Sequence, residues 1–437
     1  MPTLAATYDR PVVVLGAGLT GMSASLSLQG RAVDHLIVER EAQVGGTATT
    51  VEDAGYRFDR TGHLLHLRNP KRFEHILALL EEPPLQVARH SLVYSEGVYT
   101  RYPFQSNTLG LPPEVAYACV VDFLRAQSSP PSHPPTNFEE YCRAHFGNSI
   151  SERFMLPYNR RLWGVEPREI SSAWCDRFVP VPTVEDVIAG AVGHQTRELG
   201  YNATGIYPQN GIGELSSAIG RQLKNLKLRA SPKRIDWRTR TVEFDGWSAS
   251  YQALISTIPL PVLLRLLCDL PETVAQAAKL LTCTPLYYLD VALRRRPQVE
   301  MHWTYLPEER FPFYRVGNYA AFSPRMAPDG GAGLYLELAA REEPELPRLW
   351  PAIESCLVEL RLIRSASDVA FCRLRHLEYA YVIYDQHRDS ALSTINDFLR
   401  SEHIIAAGRY GAWNYSSMQD ALEFGEQAVC TAQEIMT

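Results

Sequence analysis

No apolar run in the 437-residue chain approaches the length of a bilayer span, about 20 residues, and no basic stretch followed by an apolar one precedes the first β-branched run at Pro11. Stable membrane association is therefore not expected, and the cytoplasm is the predicted compartment. The eight cysteines (Cys119, Cys142, Cys175, Cys268, Cys283, Cys356, Cys372 and Cys430) include no C-x-x-C pair, and the twelve histidines include no H-E-x-x-H. Both absences argue against a metal site; cysteines so scattered suit small core positions in a reducing compartment. A net charge of −6 offers no general attraction for nucleic acid. No internal repeat is visible.

What is present begins at once. Pro11-Val12-Val13-Val14-Leu15 runs into Gly16-Ala17-Gly18-Leu19-Thr20-Gly21, then a predicted helix (Met22 to Leu28), a second strand (His35 to Val38) and Glu39. A buried strand, G-x-G-x-x-G, a helix and an acid at the end of the next strand make a dinucleotide fingerprint. Gly16 permits the tight turn, Gly18 admits a pyrophosphate to the helix N-terminus, Gly21 allows close packing, and Glu39 accepts hydrogen bonds from an adenosine ribose. Glu39-Arg40 is followed by Gln43-Val44-Gly45-Gly46-Thr47, a second glycine pair able to pass close to the same pyrophosphate. Large flavoproteins commonly carry that pair and nicotinamide enzymes do not need it, so the expected cofactor is FAD.

The chain exceeds the size at which one core keeps growing, so several structural units are expected. The predicted fold is α/β: a discontinuous Rossmann-like FAD domain (1–88, 200–265 and 401–437), with sheet strands and a base-side loop (89–112), a helical insert (113–199) and an antiparallel sheet for substrate (266–400). Helices are predicted over 115–127, 137–146, 149–158 and 213–226, and strands over 91–94, 97–102, 228–230, 241–244 and 253–257. Ser128-Ser129-Pro130-Pro131-Ser132-His133-Pro134-Pro135 reads as an exposed loop. The late run His403 to Arg409, followed by a helix from about Gln419 to Met436, returns the chain to the first sheet. It brings Gly408, Arg409 and Gln419 to the cofactor.

Amine oxidases, protoporphyrinogen oxidases and desaturases share this plan, and fold alone does not choose among them. Seven segments in order do more: Phe58-Asp59-Arg60-Thr61-Gly62-His63, Tyr102-Pro103-Phe104-Gln105, Phe154 to Asn159 with Trp163, Trp174-Cys175-Asp176-Arg177, Tyr201-Asn202-Ala203-Thr204, Pro312-Phe313-Tyr314-Arg315 and Gly408 to Tyr415. Together they resemble the flavin-dependent UDP-galactopyranose mutases, more the eukaryotic branch than the common bacterial one. The resemblance implies that Arg177 and Arg315 hold the diphosphate, assisted by Tyr305, Tyr381 and Tyr415. Arginine's planar fork and neutral phenol donors both suit phosphate. Tyr102, Phe104 and Gln105 resemble a uridine clamp, and Arg89, Asn159, Trp163 and Asn202 belong to the same site. His63, after Gly62, is implied to lie against the flavin ring; Arg60-Thr61 stands where the family has a double glycine, leaving Gly62 alone to loosen that loop.

The implied reaction interconverts UDP-galactopyranose and UDP-galactofuranose, with N5 of FAD, reduced by NADPH or NADH, as nucleophile on the anomeric carbon. A mutase acting on another nucleotide sugar, or an FAD-dependent amine oxidase or desaturase-type oxidoreductase, is the alternative. The expected partner is a UDP-sugar, and a homo-oligomer is compatible with the sequence.

Overall fold

The computed structural model describes residues 6–129, 131–194 and 203–437. Asn202, with Tyr201 of its segment, and Pro130 of the proline-rich loop lie outside the described residues.

Val12, Val13, Val14 and Leu15 are fully buried, as a parallel strand covered on both faces requires. They belong to Ala6–Leu15, which pairs in parallel with His35–Val38 on one side and Trp247–Ser256 on the other. Leu226–Lys227 extends the sheet beyond His35–Val38, and the antiparallel pair Arg234–Asp236 and Thr241–Glu243 forms the opposite edge. Ile404–Ala406 joins Trp247–Ser256 in parallel, so the late strand returns to the sheet that holds the opening one. Helix Leu19–Gly30 follows the opening strand and packs on helix Met418–Met436. The contact depends on glycine, since a Cβ on Gly425 would lie 2.4 Å from the Thr20 carbonyl oxygen; Gly21 instead lets the helix lie against the fingerprint turn, where a Cβ would stand 1.9 Å from the Gly16 carbonyl oxygen.

A second sheet runs in the order Val369–Val382, Cys283–Leu293, Ala332–Leu338, Phe313–Asn318, Trp303–Tyr305, Ser91–Ser95, Val98–Arg101. Its neighbours are antiparallel except at Trp303–Tyr305 with Ser91–Ser95, where the pairing is parallel. Over one side of this sheet lie the helices Pro113–Ser128, Phe138–Ile150, Leu156–Trp163 and Val184–Val192, whose apolar faces share a core with Tyr288 and Tyr314.

Several elements differ from expectation. The helix expected over 213–226 ends at Gly220, because Asn225 takes a left-handed φ of +55° and Leu226–Lys227 is drawn into the first sheet beside Ile37; the strand expected over 228–230 is displaced to that position. The helix expected over 149–158 is a π-turn, Ser151–Met155, followed by Leu156–Trp163, which ends at Gly164 with φ +66°. Strand Val369–Val382 and helices Leu346–Glu359 and Arg388–Ser401 had no counterpart in the sequence reading.

Candidate active site

The fingerprint turn is built to receive an anion. Gly16 has φ +92°, and helix Leu19–Gly30 starts at Gly18 without a side-chain cap, leaving its first N–H groups free. Gly18 bridges to Gly45, the Gly45 N–H donates to the Ala17 carbonyl at 2.8 Å, and a Cβ on Gly46 would stand 3.3 Å from the Gly18 Cα. Glu39, 7% exposed, accepts from the Ala17 N–H at 2.8 Å and the Glu41 N–H at 2.9 Å, which aims its carboxylate along the cavity wall. This bare-backbone cradle with an oriented acid fits the pyrophosphate and ribose of FAD. Arg40 and Thr47 line the same end, with Arg40 largely exposed beside Glu41, and Gly408 closes it from the late strand with φ +84°.

One cavity of about 650 Å³ runs from the cradle to a chamber between the second sheet and the helices. The loop Arg60 to His63 forms one of its walls. Just before it, Asp59 accepts from the hydroxyls of Thr50 (2.6 Å) and Tyr207 (2.5 Å) and from the Ile212 N–H (3.1 Å), which anchors the loop's base. Thr61 has φ +69°, a conformation that suits glycine and strains a β-branched residue. Gly62 is therefore not the residue that bends the loop; it is small because a Cβ there would lie 2.3 Å from the Tyr335 hydroxyl. Burial, with the positive Arg409, Arg315 and Arg60 nearby, holds the His63 pKa down at about 4.

Arg315 reaches the chamber but is already engaged. Its Nη2 lies 2.5 Å from Oε1 of Glu337, its fully buried cross-strand partner, and 3.2 Å from the Tyr381 hydroxyl. Arg409 donates to the carbonyls of Ser416 (2.9 Å) and Ala380 (3.3 Å) and lies 4.5 Å from the Tyr415 ring, with no carboxylate partner among the described residues. Tyr305 packs against Tyr102 with ring centroids 4.8 Å apart and the planes tilted by 34°, and both line the chamber. Gln105, 2% exposed, donates through Nε2 to the Pro180 carbonyl at 2.8 Å, which leaves Oε1 buried without a partner. Asn159 and Trp163 also line the cavity, joined by a 3.1 Å bond from the indole N–H to the amide oxygen.

Four sequence-predicted side chains stand outside the cavity lining. Arg177 lies outside the cavity lining, half exposed and 2.6 Å from Asp420, because that buried carboxylate, which also caps helix Met418–Met436, outcompetes solvent for it. Phe104 is fully buried and stacks on Phe154 at 5.2 Å, so its neighbour Gln105, not Phe104, faces the cavity. Gln419 turns inward to accept from the Arg68 N–H at 2.6 Å. Arg89 sits behind the wall, its guanidinium 5.0 Å over the Tyr102 ring. Conversely, Arg60, Phe154, Tyr158, Trp174, Phe178 and Tyr335 line the cavity without having been assigned to it. The aromatic density of 154–178 was a usable signal for four of them; Tyr335 reads as an ordinary strand residue.

The chain is similar to solved structures. A crystal structure of reduced UDP-galactopyranose mutase matches with a TM-score of 0.90 at 26% identity, covering 96% of this chain and 94% of that one. A putative protoporphyrinogen oxidase from Exiguobacterium sp. 255-15 matches with a TM-score of 0.75 at 15% identity, over 98% and 99% of the two chains. Wild-type putrescine oxidase bound to putrescine matches with a TM-score of 0.66 at 15% identity, again over 98% and 99%, a likeness of fold. The sequence profile of the flavin-containing amine oxidoreductases matches residues 19–432, and the chain belongs to that family.

Proposed function

We propose that the protein is a mutase of the UDP-galactopyranose type, interconverting the pyranose and furanose forms of a UDP-hexose. The observation that carries the reading is a cation-bearing, tyrosine-lined chamber continuous with the FAD cradle. Arg409, Arg315 and Arg60 all act on His63, and such a charge set attracts a diphosphate and repels an ammonium ion. That disfavours the amine oxidase alternative, in spite of the shared family. The likeness to UDP-galactopyranose mutase, at higher identity and TM-score than to the oxidases, supports the same choice.

FAD, held by Gly16, Gly18, Gly45, Gly46 and Glu39 and reduced by NADPH or NADH, would supply an electron-rich nitrogen as the nucleophile for the anomeric carbon. The protein's residues do the rest. Arg315 and Tyr381 hold the diphosphate as it departs and returns, with Tyr305 and Tyr415 donating beside them. Arg177 joins them by exchanging Asp420 for a phosphate; the buried carboxylate is not left bare, because it keeps Arg68 at 2.6 Å and the Ser417 N–H and hydroxyl at 2.7 and 2.8 Å. Tyr102 covers the base, and Gln105, held by one N–H bond to the Pro180 carbonyl, has an Oε1 without a protein partner that accepts the N3–H of uracil. The aromatic walls at Trp163 and Tyr158 keep water from the open sugar.

The direct assay incubates dithionite-reduced protein with UDP-galactofuranose and separates the products. Appearance of UDP-galactopyranose supports the reading; unchanged substrate alongside an active reference mutase refutes it.

A further inference from the structure

Tyr335 combines three features that the mechanism above does not use. Its side chain is 1% exposed, it lines the cavity, and its hydroxyl makes no hydrogen bond to any described residue. Two glycines make room for it. Gly317 is its cross-strand partner, and a Cβ there would lie 2.0 Å from Cε1 and 2.1 Å from Cζ of the ring. From the opposite side, a Cβ on Gly62 would lie 2.3 Å from the hydroxyl oxygen and 2.9 Å from Cζ. The ring therefore occupies a slot formed by two absent side chains, braced by Tyr319 at 5.2 Å. The hydroxyl emerges beside the Gly62–His63 wall of the chamber.

A glycine inside a strand marks the close approach of another group, and a hydroxyl that opens on a cavity without a protein partner is free to serve a ligand. A phenol locked in such a slot with its hydroxyl unpaired keeps its place when a ligand completes the bond. Burial raises the Tyr335 pKa, so the group is a neutral donor. Arg315 and Tyr381 next to it already serve charge, whereas a neutral donor matches a neutral oxygen. We propose that the Tyr335 hydroxyl donates a hydrogen bond to an oxygen of the hexose in a bound nucleotide sugar, and so helps determine which sugar is accepted. The proposal rests on the nucleotide-sugar reading above.

The test uses the flavin-loaded protein and Tyr335→Phe, which keeps the ring in its slot and removes only the hydroxyl. Calorimetric titrations of the oxidised holoprotein with UDP and with UDP-galactopyranose give the four affinities needed. Loss of one neutral hydrogen bond should weaken UDP-galactopyranose by about fivefold to tenfold while leaving UDP, which has no sugar at that position, unchanged. Unchanged affinity for both ligands would overturn the proposal, and so would equal weakening of both. A shifted flavin midpoint potential without selective loss of the sugar nucleotide would assign the hydroxyl to the cofactor and also overturn it. If the wild type binds neither ligand, the nucleotide-sugar reading itself fails and the Tyr335 proposal falls with it. Gly62→Ala, which forces the hydroxyl aside, should reproduce the selective loss.

Discussion

Replacing Arg315 by alanine should have two separable effects, one on stability and one on ligand binding. Its partner Glu337 is fully buried, and apart from the 2.5 Å contact to Arg315 its carboxylate accepts from the Tyr381 hydroxyl at 3.4 Å. Removing the guanidinium strands a carboxylate in the sheet, a loss of ~3–5 kcal/mol. The paired variant Arg315→Gln with Glu337→Gln removes both charges and should return to within about 1 kcal/mol of wild type. Ligand binding should not return with it: without the cation, UDP should remain weaker by about 2 kcal/mol, near thirtyfold. Urea melts at pH 7, followed by UDP titrations of all variants, supply the numbers. Wild-type stability in Arg315→Ala would refute the buried pair, and wild-type UDP affinity in the double variant would refute the phosphate role.

The cradle predicts a contrast between two glycines. A Cβ on Gly18 meets nothing nearer than 3.9 Å, so Gly18→Val should fold yet lose its yellow flavin absorbance, whereas Gly21→Val, 1.9 Å from a carbonyl oxygen, should fail to fold at all. Because Gln105 Oε1 lacks a protein partner and would accept from the N3–H of uracil, CDP, whose ring N3 carries no proton, should bind at least about tenfold more weakly than UDP, and Gln105→Leu should erase the difference; parallel titrations read this out. His63 takes its proton near pH 6.5 when unfolded and near 4 in the fold, so the unfolded state binds more protons between those values. Its contribution, up to about 3 kcal/mol, is full above pH 6.5 and is lost as pH falls towards 4. Asp59, which burial pushes up to about 7, acts in the opposite sense, so the measurement is the difference in acid melts between wild type and His63→Gln, which should lack that loss.

The parts of the fold that were legible are those where backbone chemistry leaves a residue signature. A β-branched run into G-x-G-x-x-G can serve few purposes, and Gly16, Gly18, Gly45 and Gly46 do converge on one another. Side-chain partnerships across the chain were not legible. Glu337 lies 22 positions from Arg315 and Asp420 lies 243 from Arg177, and nothing local announces that either arginine has a carboxylate waiting. Phe104 and Gln105 show a finer limit: a strand end was recognisable, but which neighbour turns inward depends on the short helical turn Phe104–Ser106 that follows Pro103. Thr61 shows the converse, since a departure from the family pattern could be read as lost flexibility, and only the backbone reveals a β-branched residue holding a left-handed φ. Strand Val369–Val382 was missed because its exposed and half-buried positions dilute the alternation that marks a strand.

The central claim is that the flavin acts as a nucleophile and is regenerated unchanged. The measurement that tests it most directly is redox stoichiometry: under anaerobic conditions, reduce the flavin once with a single equivalent of dithionite, add UDP-galactofuranose in large excess, and follow both the flavin absorbance and the products. The account predicts many equivalents of UDP-galactopyranose for that one reduction, a flavin still reduced at the end, and no turnover by the oxidised protein. Product that requires oxidised flavin, bleaches it once and then waits for oxygen would contradict it.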